Sequence, residues 1–292
     1  MSPLQTPAAT ITEPVLLETE LQNAIRVFSL RSETPFLDAQ VLISKLLGKP
    51  RSWILAHPEF PLSPKEHTGL ADALVEIAQG TPLPYILKEW EFYGLPFTIS
   101  PDVLIPRPET ELLVETALTM LEMQSGSLRV ADVGTGSGAI AISLAVKAPR
   151  HHYYASDISF RALQICKKNA LRHGVLSQLS FIQADLLDYT SGKFDLVCAN
   201  LPYIPAKRLP GLEVARQEPV IALDGGSDGL LFINRLMQQA PLFLSPRGWL
   251  LMEIDASQGK ILKELAARTI GPAEVTILKD LAGNDRLLKI VV

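Results

Sequence analysis

The run FDLVCANLPYIP, residues 194–205, carries an apolar segment to Ala199 and then stops it with Asn200, Leu201, Pro202 and Tyr203. A strand does not continue through that tetrapeptide, but the four residues suit one kind of chemistry. The nitrogen of a planar NH₂, in a carboxamide or a nucleobase amino group, is a poor nucleophile because its lone pair is delocalised. Two hydrogen-bond acceptors on its two N–H bonds orient the nitrogen toward an electrophile and stabilise the charge that develops during attack. The Asn200 side chain offers one such oxygen, and the backbone carbonyl of Leu201 offers the second. Pro202 biases residue 201 toward an extended conformation that aims this carbonyl. Tyr203 supplies a flat face for a planar group. The competing reading is a plain turn, since Asn and Pro are common turn residues.

A second cluster lies upstream, in ADVGTGSGAIAIS. Gly134, Thr135, Gly136, Ser137 and Gly138 make a tight turn in which missing Cβ atoms permit close approach to a ligand. The spacing Gly134-x-Gly136-x-x-Ala139 also satisfies a dinucleotide fingerprint, so the loop fits a nicotinamide dinucleotide or S-adenosylmethionine, or serves packing alone. Asp157 follows Gly134 by 23 residues at the end of the next strand, where a carboxylate accepts from ribose hydroxyls. Both cofactors carry ribose, and Asp157 also reads as a helix N-cap. Asp185 closes a third strand, placed to accept from an adenine amino group with Leu186 against the ring, or to serve as an ordinary loop acid. The tetrapeptide separates the cofactors. Hydride transfer has no use for it, whereas a sulfonium methyl group is an electrophile for a held NH₂.

These residues need strands to carry them. From Leu128 the pattern alternates strand and helix, through LRVADVG, GAIAISLAVKA, HYYASD, SFRALQICKKNALRHG, LSFIQAD and FDLVCAN, as in a parallel sheet with helices on both faces. The last two strands are joined by DLAGND, too short for a crossover, so the final strand runs antiparallel. Each motif falls at a strand's carboxyl end, where open α/β sheets bind ligands. Upstream, residues 15–80 read as helices, one of them opened by a capping box at Ser63, Pro64 and Glu66. PYILKEWEFYGLPFTIS reads as a hairpin around Tyr93-Gly94. Pro106 and Pro108 then hold an extended loop around Arg107. The expected organisation is a helical substrate-recognition domain over 1–82, a hairpin and linker over 83–108, and a catalytic domain over 109–292.

Composition narrows the function. The 292 residues are 47% hydrophobic with net charge −4, of which −3 falls in residues 1–84. Neither part is basic, which argues against gripping long nucleic acid. The two cysteines, Cys166 and Cys198, read as free buried thiols of a reducing cytosol. No Cys/His cluster has metal-ligand spacing, so no metal is expected. No cationic start precedes an apolar core at the N-terminus, and no apolar run approaches the ~20 residues of a membrane span.

DVGTGSG together with NLPYIP resembles the amino-methyltransferases whose signature is Asn/Asp-Pro-Pro-Tyr. With FYGLPF, LIPRPETELLVE, ALDGGSDGL and DLAGNDRLLK, the chain resembles, over nearly its whole length, the bacterial release-factor glutamine methyltransferases, also called the HemK family. The resemblance implies a Rossmann-like S-adenosylmethionine-dependent methyltransferase sheet behind a small helical domain. It implies a cytoplasmic enzyme that methylates the glutamine of the Gly-Gly-Gln loop of peptide chain release factors and releases S-adenosylhomocysteine. Gly134 to Gly138 and Asp157 would bind the cofactor, with Asp185 and Leu186 flanking its adenine. Asn200, Leu201, Pro202 and Tyr203 would hold the glutamine, Asn200 also facing the cofactor, and Arg107 is a further substrate-binding candidate. The expected partner is a protein, with no membrane and no direct nucleic-acid contact. This sequence has Leu201 where the first proline of the signature usually stands, Leu186 where an aromatic is frequent and Lys88 where glycine is frequent. The alternatives are a nucleic-acid amino-methyltransferase acting on adenine and a non-catalytic cofactor-binding scaffold.

Overall fold

The computed structural model describes residues 14–292 apart from Thr190, Ser191 and Gly271. The chain divides into two compact units, Met1–Leu87 and Lys88–Val292. In the first, α1 (Leu17–Phe28), α2 (Pro35–Leu47), α3 (Arg51–Ala56), α4 (Pro64–Ala78) and α5 (Leu83–Leu87) pack around Leu17, Ala24, Leu42, Ile43, Ile54 and Ile77. The start of α4 is fixed reciprocally. Ser63 Oγ accepts from Glu66 N, and Glu66 Oε2 accepts from Ser63 N. Such caps contribute about 1 kcal/mol. Gly48 ends α2 in the left-handed conformation, at φ 62°.

Residues 83–87, read above with the hairpin, form the helical turn α5 instead. Pro84 fixes φ near the helical value and lacks the N–H that a strand ladder needs. The hairpin is therefore confined to β1 (Glu89–Phe92) and β2 (Leu95–Thr98), antiparallel through a turn with positive φ at both Tyr93 and Gly94. That is the turn whose twist matches the paired strands.

After α6 (Glu111–Glu122), the sequence runs β3 (Arg129–Val133), α7 (Ala139–Lys147), β4 (His152–Asp157), α8 (Phe160–Arg172), β5 (Leu179–Gln183) and β6 (Phe194–Ala199). It continues through α9 (Val214–Gln217), α10 (Leu231–Phe243), β7 (Leu244–Glu253), α11 (Gly259–Thr269), β8 (Glu274–Lys279) and β9 (Asp285–Val291). Seven strands form one sheet in the order β5-β4-β3-β6-β7-β9-β8. Pairings from β5 to β7 are parallel. β9 inserts between β7 and β8 antiparallel to both, which realises the expected reversal. The central strands are apolar on both faces because helices cover both. Val130, Ala131 and Val133 on β3 and Leu196 to Ala199 on β6 are buried. Strand order switches direction between β3 and β6, so a crevice opens where their carboxyl ends diverge. Cys166 and Cys198 are buried free thiols. No described helix is long and apolar enough to cross a membrane.

Candidate active site

The glycine loop leaves β3 and the tetrapeptide leaves its neighbour β6, with Val133 paired to Ala199. The two motifs are thus set side by side by sheet order, although 66 positions separate Gly134 from Asn200. Gly134, Gly136 and Gly138 all have positive φ, at 73°, 54° and 84°. Their reasons differ. A Cβ on Gly134 would sit 3.1 Å from Leu201 Cδ2, so this glycine lets the tetrapeptide close against the loop. A Cβ on Gly138 would lie 2.6 Å from Cys166 Sγ and from Ile142 Cδ1, so Gly138 serves packing between α7 and α8 and lies outside the cavity lining.

One cavity gathers Gly134, Thr135, Gly136, Ser137, Asp157, Asp185, Leu186, Asn200, Leu201 and Pro202 along its wall, with Ile158 and Phe232 beside them. Asp157 is tied to the loop. Its Oδ2 accepts from Gly136 N at 2.9 Å and its Oδ1 from Ser159 N at 2.8 Å. Burial raises the Asp157 pKa, and those two N–H bonds pull it back. The N-cap of α8 is Ser159, whose Oγ accepts from Ala162 N, so Asp157 is released from that duty. Asp185 is half-exposed and takes a 2.8 Å bond from Arg235. Leu186 sits beside it at φ 54°, a costly backbone for a branched side chain, while its side chain joins the core.

Asp132 anchors the loop from below. Its Oδ2 accepts from Thr135 Oγ1 at 2.6 Å and from Ala141 N at 3.1 Å. Burial pushes its carboxyl up to about 6 against those bonds, and the charge of Asp157 adds to the rise.

A second cavity is lined by Arg107, Asn200, Tyr203 and Leu223 with other apolar residues. Asn200 belongs to the walls of both cavities. The Arg107 guanidinium pairs with Glu218, whose buried carboxylate also accepts from Ile105 N at 3.0 Å. The tetrapeptide backbone is clamped from behind by ALDGGSDGL. Ile204 N donates to Leu223 O, Gly225 N donates to Ile204 O, and a Cβ on Gly229 would lie 2.2 Å from Tyr203 O. Gln258 Nε2 bonds both Tyr203 O and Gly229 O.

Sequence reasoning did not name Thr110, Glu253 or Gln258. Thr110 Oγ1 accepts from Asn200 Nδ2 at 3.1 Å and donates to Glu253 Oε2 at 2.6 Å. Tyr203 Oη donates to Glu253 Oε1 at 3.4 Å. Burial and the Glu253 charge together raise the Tyr203 hydroxyl pKa. Glu253 closes β7 as Asp157 closes β4, so an acid at a strand's carboxyl end was the available signal.

Residues 108–212 match the family model of the methyltransferase small domain, and residues 20–87 match that of the PrmC N-terminal domain. The chain is 41% identical to the release factor glutamine methyltransferase of Moorella thermoacetica over 87% of this chain and 90% of that one. Against the Coxiella burnetii protein of the same name the identity is 38%, over 91% and 95%. A crystal structure of a methyltransferase from Pyrococcus furiosus aligns with TM-score 0.50 and 18% identity over 76% of this chain and 98% of that one, a likeness of fold. With relatives above 30% identity matched over nearly their full length, the chain belongs to the release factor glutamine methyltransferase family.

Proposed function

We propose that this chain transfers a methyl group from S-adenosylmethionine to the side-chain amide nitrogen of the glutamine in the Gly-Gly-Gln motif of peptide chain release factors. The observation that carries the reading is the position of Asn200, in the walls of both cavities and at the end of the strand beside the glycine loop. The first cavity fits the donor. Its backbone turns at Gly134 and Gly136, an acid at Asp157 suits ribose hydroxyls, and Leu186, Ile158 and Phe232 offer apolar surface for a base. Once bound there, the donor supplies an electrophilic methyl carbon on a sulfonium.

The chain's own residues do the rest. Asn200 Oδ1 and the Leu201 carbonyl accept the two N–H bonds of the glutamine amide and direct its nitrogen toward the donor cavity. Tyr203 supports the amide plane. Attack builds positive charge on nitrogen, and both acceptors hold it more strongly as it grows. Among the described residues the second cavity's lining holds no carboxylate or imidazole, so the proton leaves to water after transfer. The helical unit, with its acidic balance, recognises the protein partner rather than nucleic acid, and the enzyme works in the cytoplasm. Incubation with isotopically labelled donor and, separately, a purified release factor, DNA and RNA tests the assignment. Label should enter the release factor alone, and labelled DNA or RNA would overturn it.

A further inference from the structure

An asparagine amide has two ends of nearly the same shape, and only Oδ1 can accept an N–H bond. The site works only if something decides which end faces the acceptor. We propose that Thr110 and Glu253 are positioning residues that fix the Asn200 amide with its oxygen toward the substrate, through a hydrogen-bond relay that runs in one direction. The inference rests on the function proposed above.

The direction follows from proton counting. An ionised Glu253 has only acceptors. Thr110 has one hydroxyl proton and places it on Glu253 Oε2, at 2.6 Å. Its oxygen can then only accept from the third group, and at 3.1 Å it meets Asn200, so Nδ2 must be the end that faces it. Oδ1 is left on the opposite side, without a partner among the described residues. The same carboxylate takes the Tyr203 hydroxyl on its other oxygen, so one buried group orients both polar side chains of the tetrapeptide. Thr110 is 4% exposed and Glu253 2% exposed, so water does not compete for these bonds. Burial, with Glu109 adding to it, raises the Glu253 pKa overall, while the Thr110 bond, the Arg286 guanidinium and the Tyr203 hydroxyl pull it back. A hydroxyl donor on each of its two oxygens is the set of partners that a carboxylate takes. A satisfied network of this kind in a low-dielectric interior holds its members in one arrangement.

The test is methyl transfer to a purified release factor by the full chain carrying Thr110→Val, which keeps the shape and removes both hydrogen bonds. Turnover should fall about ten- to a hundredfold, the usual cost of a misoriented group. KM for the release factor and affinity for the donor should stay within about twofold, and Thr110→Ser should recover most of the loss. A second background separates orientation from support. Asp has two like oxygens and needs no orienting, so Thr110→Val should cost far less when combined with Asn200→Asp. If Thr110→Val does not fold, Glu253→Gln takes its place in the same cycle. Wild-type turnover in Thr110→Val overturns the relay, as does an equal loss in both backgrounds or a parallel loss of donor affinity. A wild-type chain that methylates no release factor overturns the functional reading itself and the relay with it.

Discussion

In the proposed function Asn200 concentrates the residue-scale chemistry, because one oxygen is asked to be worth more in the transition state than in the bound substrate. Removing such a group lowers kcat and leaves binding nearly intact. Asn200→Ala should therefore cut kcat by about two to three orders of magnitude, in line with the loss of one preorganised polar group. Donor affinity measured by calorimetry should change little, because the Asp157 and glycine-loop contacts are untouched. At this scale much was legible in the sequence. Glycines that need positive φ, an acid at the end of β4 and the Asn-x-Pro-Tyr break at the end of β6 each announce a local requirement. Thr110 and Glu253 were not singled out, because a threonine in a helical start and an acid after an apolar run become a pair only when the fold brings positions 143 residues apart together. Leu201 has a further role that sequence did not suggest. It is buried, and a Cβ on Gly134 would come within 3.1 Å of it, so it packs against the glycine loop besides offering its carbonyl.

Two elements of the sheet unit each carry a cost that can be measured. The first is the turn after β3, held by Asp132. A carboxyl raised to about 6 when folded, against ~4 when unfolded, binds its proton more tightly in the folded state. Its contribution to stability is then greatest below about pH 4 and falls as pH rises to about 6, by something of the order of 3 kcal/mol at most. Asp132→Asn keeps an acceptor for Thr135 and Ala141 and cannot titrate. The difference in unfolding free energy, wild type minus Asp132→Asn, should decline between pH 4 and 6 in urea melts. A flat difference would place the Asp132 pKa near its ordinary value. The second element is the hairpin β1–β2. Lys88 adopts φ 56° as its carbonyl accepts from Ile99 N. The left-handed conformation costs a non-glycine residue about 1 to 2 kcal/mol, offset in part by the greater unfolded freedom of glycine. Lys88→Gly should stabilise the chain by about 0.5 to 1 kcal/mol, seen as a higher urea midpoint at unchanged slope. Sequence gave the hairpin turn through Tyr93-Gly94 but carried the strand pattern too far upstream. Alternation of apolar residues does not distinguish a short helical turn from a strand when a proline has already fixed the backbone.

At the scale of the whole molecule, each unit has its own core, Leu17 to Leu83 in the helical unit and Ala131 to Ile290 in the sheet unit. Alternating strands and helices, one reversed last strand and motifs at strand ends were enough to anticipate the sheet unit. The strand order was not derivable from periodicity. It is the order that puts β3 beside β6 and so sets the glycine loop against the Asn200–Tyr203 tetrapeptide. The proposed division of labour, donor in one cavity and glutamine amide in the other with Asn200 between them, makes a claim about a single atom. Fragment-ion mass spectrometry of a release factor, after incubation with the full chain and unlabelled S-adenosylmethionine, reads that atom. The expected result is one added methyl group on the side-chain amide of the Gly-Gly-Gln glutamine, absent when Asn200→Ala replaces the wild type over the same short reaction. A methyl group found on any other residue, or an unmodified factor beside consumed donor, would contradict it.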